Sequence, residues 1–219
     1  MASGFPGSID SFTNPLSNSA LNSPSHAGQH QDLNDAVNKI ETYMGLVKVI
    51  PTSVANGTVS ASGTIAATSG VASLSVNGAF TSGYANYLVQ FVMVLSASAE
   101  LRIRFRSSGT DETTSHYGAI TRIQPNSATV TVTQNNGGAY YLIADNSISA
   151  DIRGRVEIYS PQLTTTTYSS HQASGAGATM YAYTGGDYHT QAVAYDGFTI
   201  YPSTGTITSA TIRVYGYRN

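Results

Sequence analysis

From Val47 to the C-terminus the sequence alternates short β-branched and aromatic runs with turn dipeptides, and nowhere shows helical periodicity. The turn signals are Asn56-Gly57, Asn77-Gly78, Asn136-Gly137-Gly138, Gly185-Gly186 and Asp196-Gly197. Between them lie strand candidates at 73–76, 84–95, 100–107, 119–124, 129–133, 139–144, 151–159, 179–183, 191–195, 198–201 and 208–217. Many short strands with no intervening helix predict an antiparallel, jelly-roll-like β-sandwich over 47–219. The run Tyr87–Leu95 is apolar on both faces, so Leu88, Val92 and Val94 need a cover beyond the sandwich core.

Two earlier segments differ in character. Residues 1–28 are rich in Ser, Asn, Pro and Gly, with apolar residues set singly: Phe5, Ile9, Phe12, Leu16 and Leu21. Such a stretch cannot bury a core and reads as an extended arm. Its aromatics favour an arm lying in grooves on a partner, with Phe5, Ile9 and Phe12 as docking residues; a plain tail is the other reading. A helix is predicted over 29–46, preceded by Ser23-Pro24 and stopped at Gly45. Its apolar residues Leu33, Val37, Ile40, Met44 and Val47 fall four and three apart, which is a heptad seam. Two heptads are too short to hold an oligomer alone. They fit a trimeric neck on a symmetry axis, or one amphipathic helix docked on its own domain.

Composition removes several function classes. The 219 residues contain no cysteine, hence no disulfide framework, thiolate metal site or cysteine nucleophile. Charged residues make up 10%, far below the roughly 25% of an ordinary domain, and net charge is −2. Such a chain offers no field for binding nucleic acid. No apolar run reaches the ~20 residues of a membrane helix, and no signal peptide opens the sequence. So few charges suit a chain held in a permanent assembly.

No motif marks an enzyme. Phosphate loops, dinucleotide fingerprints and nucleophile elbows are absent, no cofactor is implied, and no catalytic residue is assigned. Asp145 with Asp187 would make a glycosidase pair only if the fold brought them together. His26 and His30 share a helix face at metal-ligand spacing but lack a third ligand, so no metal is assigned. Asp187-Tyr188-His189 beside the many serines is a weak triad candidate. Arg102, Arg104 and Arg106 read as an ion-paired strand face, with an acidic polysaccharide or phosphate as the other reading; Glu157 or Asp151 would pair with them if the two strands were neighbours. Tyr181, Tyr183, Tyr188 and His189 are the candidate ligand-binding residues, since tyrosine offers a flat apolar face and a hydroxyl, as sugar recognition requires. Strand packing is the other use of those rings.

The stretch Leu21-Asn22-Ser23-Pro24-Ser25-His26, Gln29-His30, Leu33-Asn34-Asp35, Ile40-Glu41 and Gly45 resembles a segment recurrent near the N-termini of virion proteins of tailed bacteriophages. Ala194-Tyr195-Asp196-Gly197-Phe198-Thr199-Ile200, followed by Ile212-Arg213-Val214-Tyr215-Gly216-Tyr217, is similar to the closing strands of β-sandwiches in phage tail, fibre and receptor-binding proteins. The resemblance implies a non-enzymatic virion component, a homotrimer. Its arm and helix would attach to tail, portal or capsid proteins, and its sandwich would face host-surface polysaccharide. A capsid decoration, cement or head-fibre protein with a purely structural role is the alternative. Neither reading involves nucleic acid or membrane insertion.

Overall fold

The computed structural model describes residues 26–43, 45–125, 127–148, 151–177 and 179–217. The proposed docking residues Phe5, Ile9 and Phe12, and Met44 of the seam, lie outside them.

The helix, α1 (His26–Tyr43), starts three residues before the predicted boundary and ends three before it. Gly45 follows in the left-handed conformation, φ +87°, which closes a helix at little cost for a residue without Cβ. Lys39 and Asp35 pair one turn apart at 3.6 Å. The seam residues Leu33, Val37 and Ile40 are exposed, at 54, 43 and 42%.

Sixteen strands follow among the described residues. They begin with β1 (Leu46–Val49), β2 (Ser53–Ala55), β3 (Gly57–Val59), β4 (Thr64–Ala67), β5 (Leu74–Asn77), β6 (Asn86–Leu95), β7 (Leu101–Ser107) and β8 (Thr110–Asp111). Then come β9 (His116–Ile123), β10 (Thr131–Gly138), β11 (Tyr141–Ala144), β12 (Asp151–Tyr159), β13 (Thr167–Ala176), β14 (Met180–His189), β15 (Gly197–Pro202) and β16 (Ile207–Tyr217). All pairings are antiparallel, in two sheets. The ten-stranded sheet runs β10-β9-β14-β13-β12-β6-β16-β4-β3, with β1 also on β16; the six-stranded sheet runs β11-β7-β15-β5-β2, with β8 on β7.

The chain changes sheet repeatedly, at β5 to β6 to β7, β10 to β11 to β12, and β14 to β15 to β16. This is the jelly-roll manner of closing a sandwich. Asn56, at φ +63°, takes the chain from β2 in one sheet to β3 in the other. One core fills the space between the sheets. β6 supplies Tyr87, Val89, Phe91, Met93 and Leu95 from the large sheet, facing Leu101, Ile103 and Phe105 of β7 and Phe198 and Ile200 of β15. Each such side chain contributes about 1.5–3 kcal/mol on burial.

Several expectations change. Gly185-Gly186 is no turn: it lies inside β14, where a Cβ on Gly185 would sit 2.3 Å from the Ala119 carbonyl oxygen and 2.6 Å from His171 Cε1. That glycine serves close packing between strands. Asn136-Gly137-Gly138 shifts the register at the end of β10, with Gly137 at φ +73°, so it is a bulge. Residues 191–195 form no strand, although the Tyr195 amide bonds the Pro161 carbonyl at 2.7 Å. β7 and β12 lie in different sheets, so Arg104 and Arg106 do not face Glu157 or Asp151. They pair instead with Asp111, and Arg102 pairs with Glu100. Leu88 is buried, whereas Val92 stays exposed at 41% on the outer face of the large sheet.

Candidate functional site

The residues proposed for ligand binding sit mainly on β14, where alternation decides their fate. Tyr181, Tyr183, Gly185, Asp187 and His189 point between the sheets; Met180, Ala182, Thr184, Gly186 and Tyr188 point outward. Tyr188 is therefore on the surface, 42% exposed, while Tyr183 and His189 are buried and Tyr181 is half-buried with the Arg122 guanidinium 5.3 Å over its ring. The structure does not gather the four into one surface.

The inward set builds a buried polar cluster instead. His116 lies directly opposite His189 in the ladder, their rings 4.4 Å apart. His116 Nδ1 is 3.0 Å from Asp187 Oδ1. His189 Nε2 donates to the Thr114 carbonyl at 2.8 Å, which leaves its Nδ1 to accept from the Tyr195 hydroxyl at 2.8 Å. His171 Nδ1 meets the Tyr141 hydroxyl. Burial pushes His116, His171 and His189 down to about 4 and Asp187 up to about 8, so all four side chains are uncharged near neutrality. Burial also raises Tyr183, whose hydroxyl donates to Asp145 Oδ1 at 3.1 Å, while Arg122 holds Oδ2 at 2.7 Å.

This geometry does not serve the chemistry considered from sequence. Asp187 orients His116, not its near neighbour His189, and both rings have no accessible surface. An imidazole that no substrate can touch is packing, whatever its orienting carboxylate. Asp145 is bound to Arg122 and Tyr183, and Asp187 to His116. No group of three His, Cys, Asp or Glu among the described residues is placed to hold a metal. The arginine row of β7 is ion-paired and stacked, with Arg102 3.9 Å from the Tyr140 ring centre and Arg104 4.6 Å from that of Tyr201.

The outer face of the large sheet is different. The ladder registers line up Tyr117 of β9, Tyr188 of β14, Tyr168 of β13, Tyr159 of β12, Asn86 of β6 and Tyr217 of β16 in one transverse row. Tyr188 stacks on Tyr117 at 5.3 Å and lies 6.2 Å from Tyr168, which is 56% exposed. Tyr159 donates to Glu157 at 2.8 Å, which fixes its ring.

Two rungs further along the strands runs a polar row: Thr184, Gln172, Arg155, Gln90 and Arg213. The next rung is Ala182, Ser174, Arg153, Val92 and Thr211. Small side chains at 174, 182 and 184 leave a shallow open hollow of about 710 Å³ here, of ligand-site size. Sequence reasoning found Tyr188 but missed Tyr117, Tyr159, Tyr168, Tyr217, Arg155 and Arg213. They come from separate strands, and only the register between distant strands brings them together.

No family model matches the chain, and neither a curated protein nor a solved structure is significantly similar to it.

Proposed function

We propose that this chain is a non-enzymatic virion protein of a tailed bacteriophage, a homotrimer that presents its β-sandwich for attachment to host-surface glycan. The observation that carries the attachment reading is the outer face of the ten-stranded sheet. Five tyrosines share one row, and about 13 Å along the strands lies an open hollow lined by Thr184, Gln172, Gln90 and Val92 together with Arg155 and Arg213. Tyrosine faces stack on the apolar side of a sugar ring, and flanking amides and hydroxyls exchange hydrogen bonds with its hydroxyls.

Assembly is supported by α1. Leu33, Val37 and Ile40 form one stripe at heptad spacing and are exposed in a single chain. Three copies around an axis cover such a stripe. Trimerisation multiplies weak single-site contacts into firm adhesion. The virion placement rests on the resemblance of the 21–45 segment and on the low charge, with residues 1–28 as the docking arm. No helix among the described residues is long and apolar enough to cross a membrane.

The test is adsorption. Purified full-length protein is expected to bind host cells and their extracted polysaccharide, and to compete with particles for adsorption. Particles that lack the protein, adsorb normally and fall apart sooner would show a decoration protein instead.

A further inference from the structure

We infer that the glycan taken by the hollow is anionic, and that Arg155 and Arg213 are the residues that select it; this rests on the glycan-attachment reading above. This chain uses charge sparingly and pairs most of its arginines with carboxylates. Arg102 is matched by Glu100, Arg104 and Arg106 by Asp111, Arg122 by Asp145 and Arg153 by Asp151. Among the described residues, Arg155 and Arg213 are the arginines with no carboxylate in ion-pair reach, and both line the hollow.

Their neighbours do not cancel the charge. Arg155 Nη2 donates to Gln172 Oε1 at 2.9 Å, a contact that aims the guanidinium without neutralising it. Arg213 stands between Gln90 and Thr64 in its row. On β12, Asp151 is neutralised by Arg153 at 2.8 Å, while Glu157, which accepts from the Tyr159 hydroxyl at 2.8 Å, keeps its charge two residues from Arg155 without pairing with it, so the two arginines outnumber it. What remains is a local positive surplus on a chain of net charge −2.

The spacing defines the ligand further. Arg155 and Arg213 share a row with β6 between them, so their backbones stand two strand spacings apart, about 9.6 Å. That distance suits acidic groups on alternate sugars of a polymer better than one small anion. Gln90 lies between them, offering a donor and an acceptor to the intervening sugar. Guanidinium binds carboxylate in a two-bond fork, which gives direction as well as attraction. The tyrosine row lies four residues along each strand, about 13 Å away, within the reach of the same chain of sugars.

The experiment measures binding of the full-length protein to polygalacturonate, a carboxylate polymer, and to neutral dextran, at low and high salt. The expected result is polygalacturonate binding that salt weakens, with dextran weaker. Arg155→Gln with Arg213→Gln should lower the polygalacturonate affinity roughly tenfold or more and the dextran affinity by clearly less, with melting temperature and oligomeric mass unchanged. Equal binding of both polymers, unaffected by the double substitution, overturns the anion selection and leaves the glycan reading standing. Binding of neither polymer, nor of any host polysaccharide, overturns both. A double variant that loses its oligomeric mass makes this face an interface between copies and overturns the inference. Single-stranded DNA bound as tightly as polygalacturonate overturns it too, since the arginines then act on any polyanion.

Discussion

Tyr117 and Tyr188, directly opposite each other on β9 and β14, stack with ring centres 5.3 Å apart and planes within 15° of parallel. Neither ring enters the core, and Tyr168 extends the pair across β13. Aromatic residues left on a surface in a continuous row form a platform rather than filler.

Replacing Tyr168 and Tyr188 by Ala should therefore cost binding and not folding. The expected loss is about 0.5–1.5 kcal/mol of glycan binding per ring, up to about tenfold each. The melting temperature should move by only a few degrees, since both rings are half exposed. Titration calorimetry with host polysaccharide, beside a thermal melt, separates the two effects.

Acid and alkali should weaken the fold through different groups. His116, His171 and His189 sit near 4 in the fold against an ordinary 6.5, so the unfolded chain takes up three protons that the native chain refuses between about pH 4 and 6.5. Asp187, near 8 against 3.8, opposes them with one proton held only in the native state. The histidines win that range, so stability rises with pH up to about 6.5. From there to about pH 8 only Asp187 titrates, and stability falls. Melting temperatures measured across this range should peak near pH 6.5, and Asp187→Asn should remove the alkaline decline.

The seam makes its own prediction. Val37→Asp with Ile40→Asp places two charges at positions that three copies would bury, and buried unpaired charge is costly. Light scattering should show a trimer for the native chain and a monomer for the variant, with the β spectrum of the sandwich retained.

Adjacent glycines on β14 should respond unequally. Gly185→Ala drives a methyl to 2.3 Å from the Ala119 carbonyl oxygen, a backbone atom that cannot swing aside, and should cost about 1–3 kcal/mol. Gly186→Ala meets nothing nearer than the Ser169 oxygen at 3.2 Å and should cost clearly less. Chemical denaturation of the two variants checks the difference.

The sandwich was legible because β6, β7, β12, β15 and β16 carry apolar residues at period two or in unbroken runs. β13 left no such trace. Its inward side chains are Thr167, Ser169, His171, Ala173 and Gly175, polar or small, and they become core only because Asp187, Tyr141 and their neighbours meet them there. The glycine pair in β14 imitated a turn for the same reason: close packing and chain reversal both ask for a missing Cβ. The exposed stripe Leu33, Val37 and Ile40 was readable from spacing within one helix. The tyrosine row was not, because its members come from strands as far apart in sequence as β9 and β16. Register is a property of the assembled sheet, so Tyr188 could be suspected alone while Tyr117 and Tyr168 could not be joined to it.

The proposed function is display: three copies on a phage particle, with the outer face of the large sheet turned to the surroundings. An electron cryo-microscopy map of the intact particle with this chain located in it is the decisive test. Threefold density is expected, with Leu33, Val37 and Ile40 packed around the axis and with Tyr168 and Tyr188 facing open solvent. A map in which that face is buried against a neighbouring protein, or in which the chain stands alone, would contradict it.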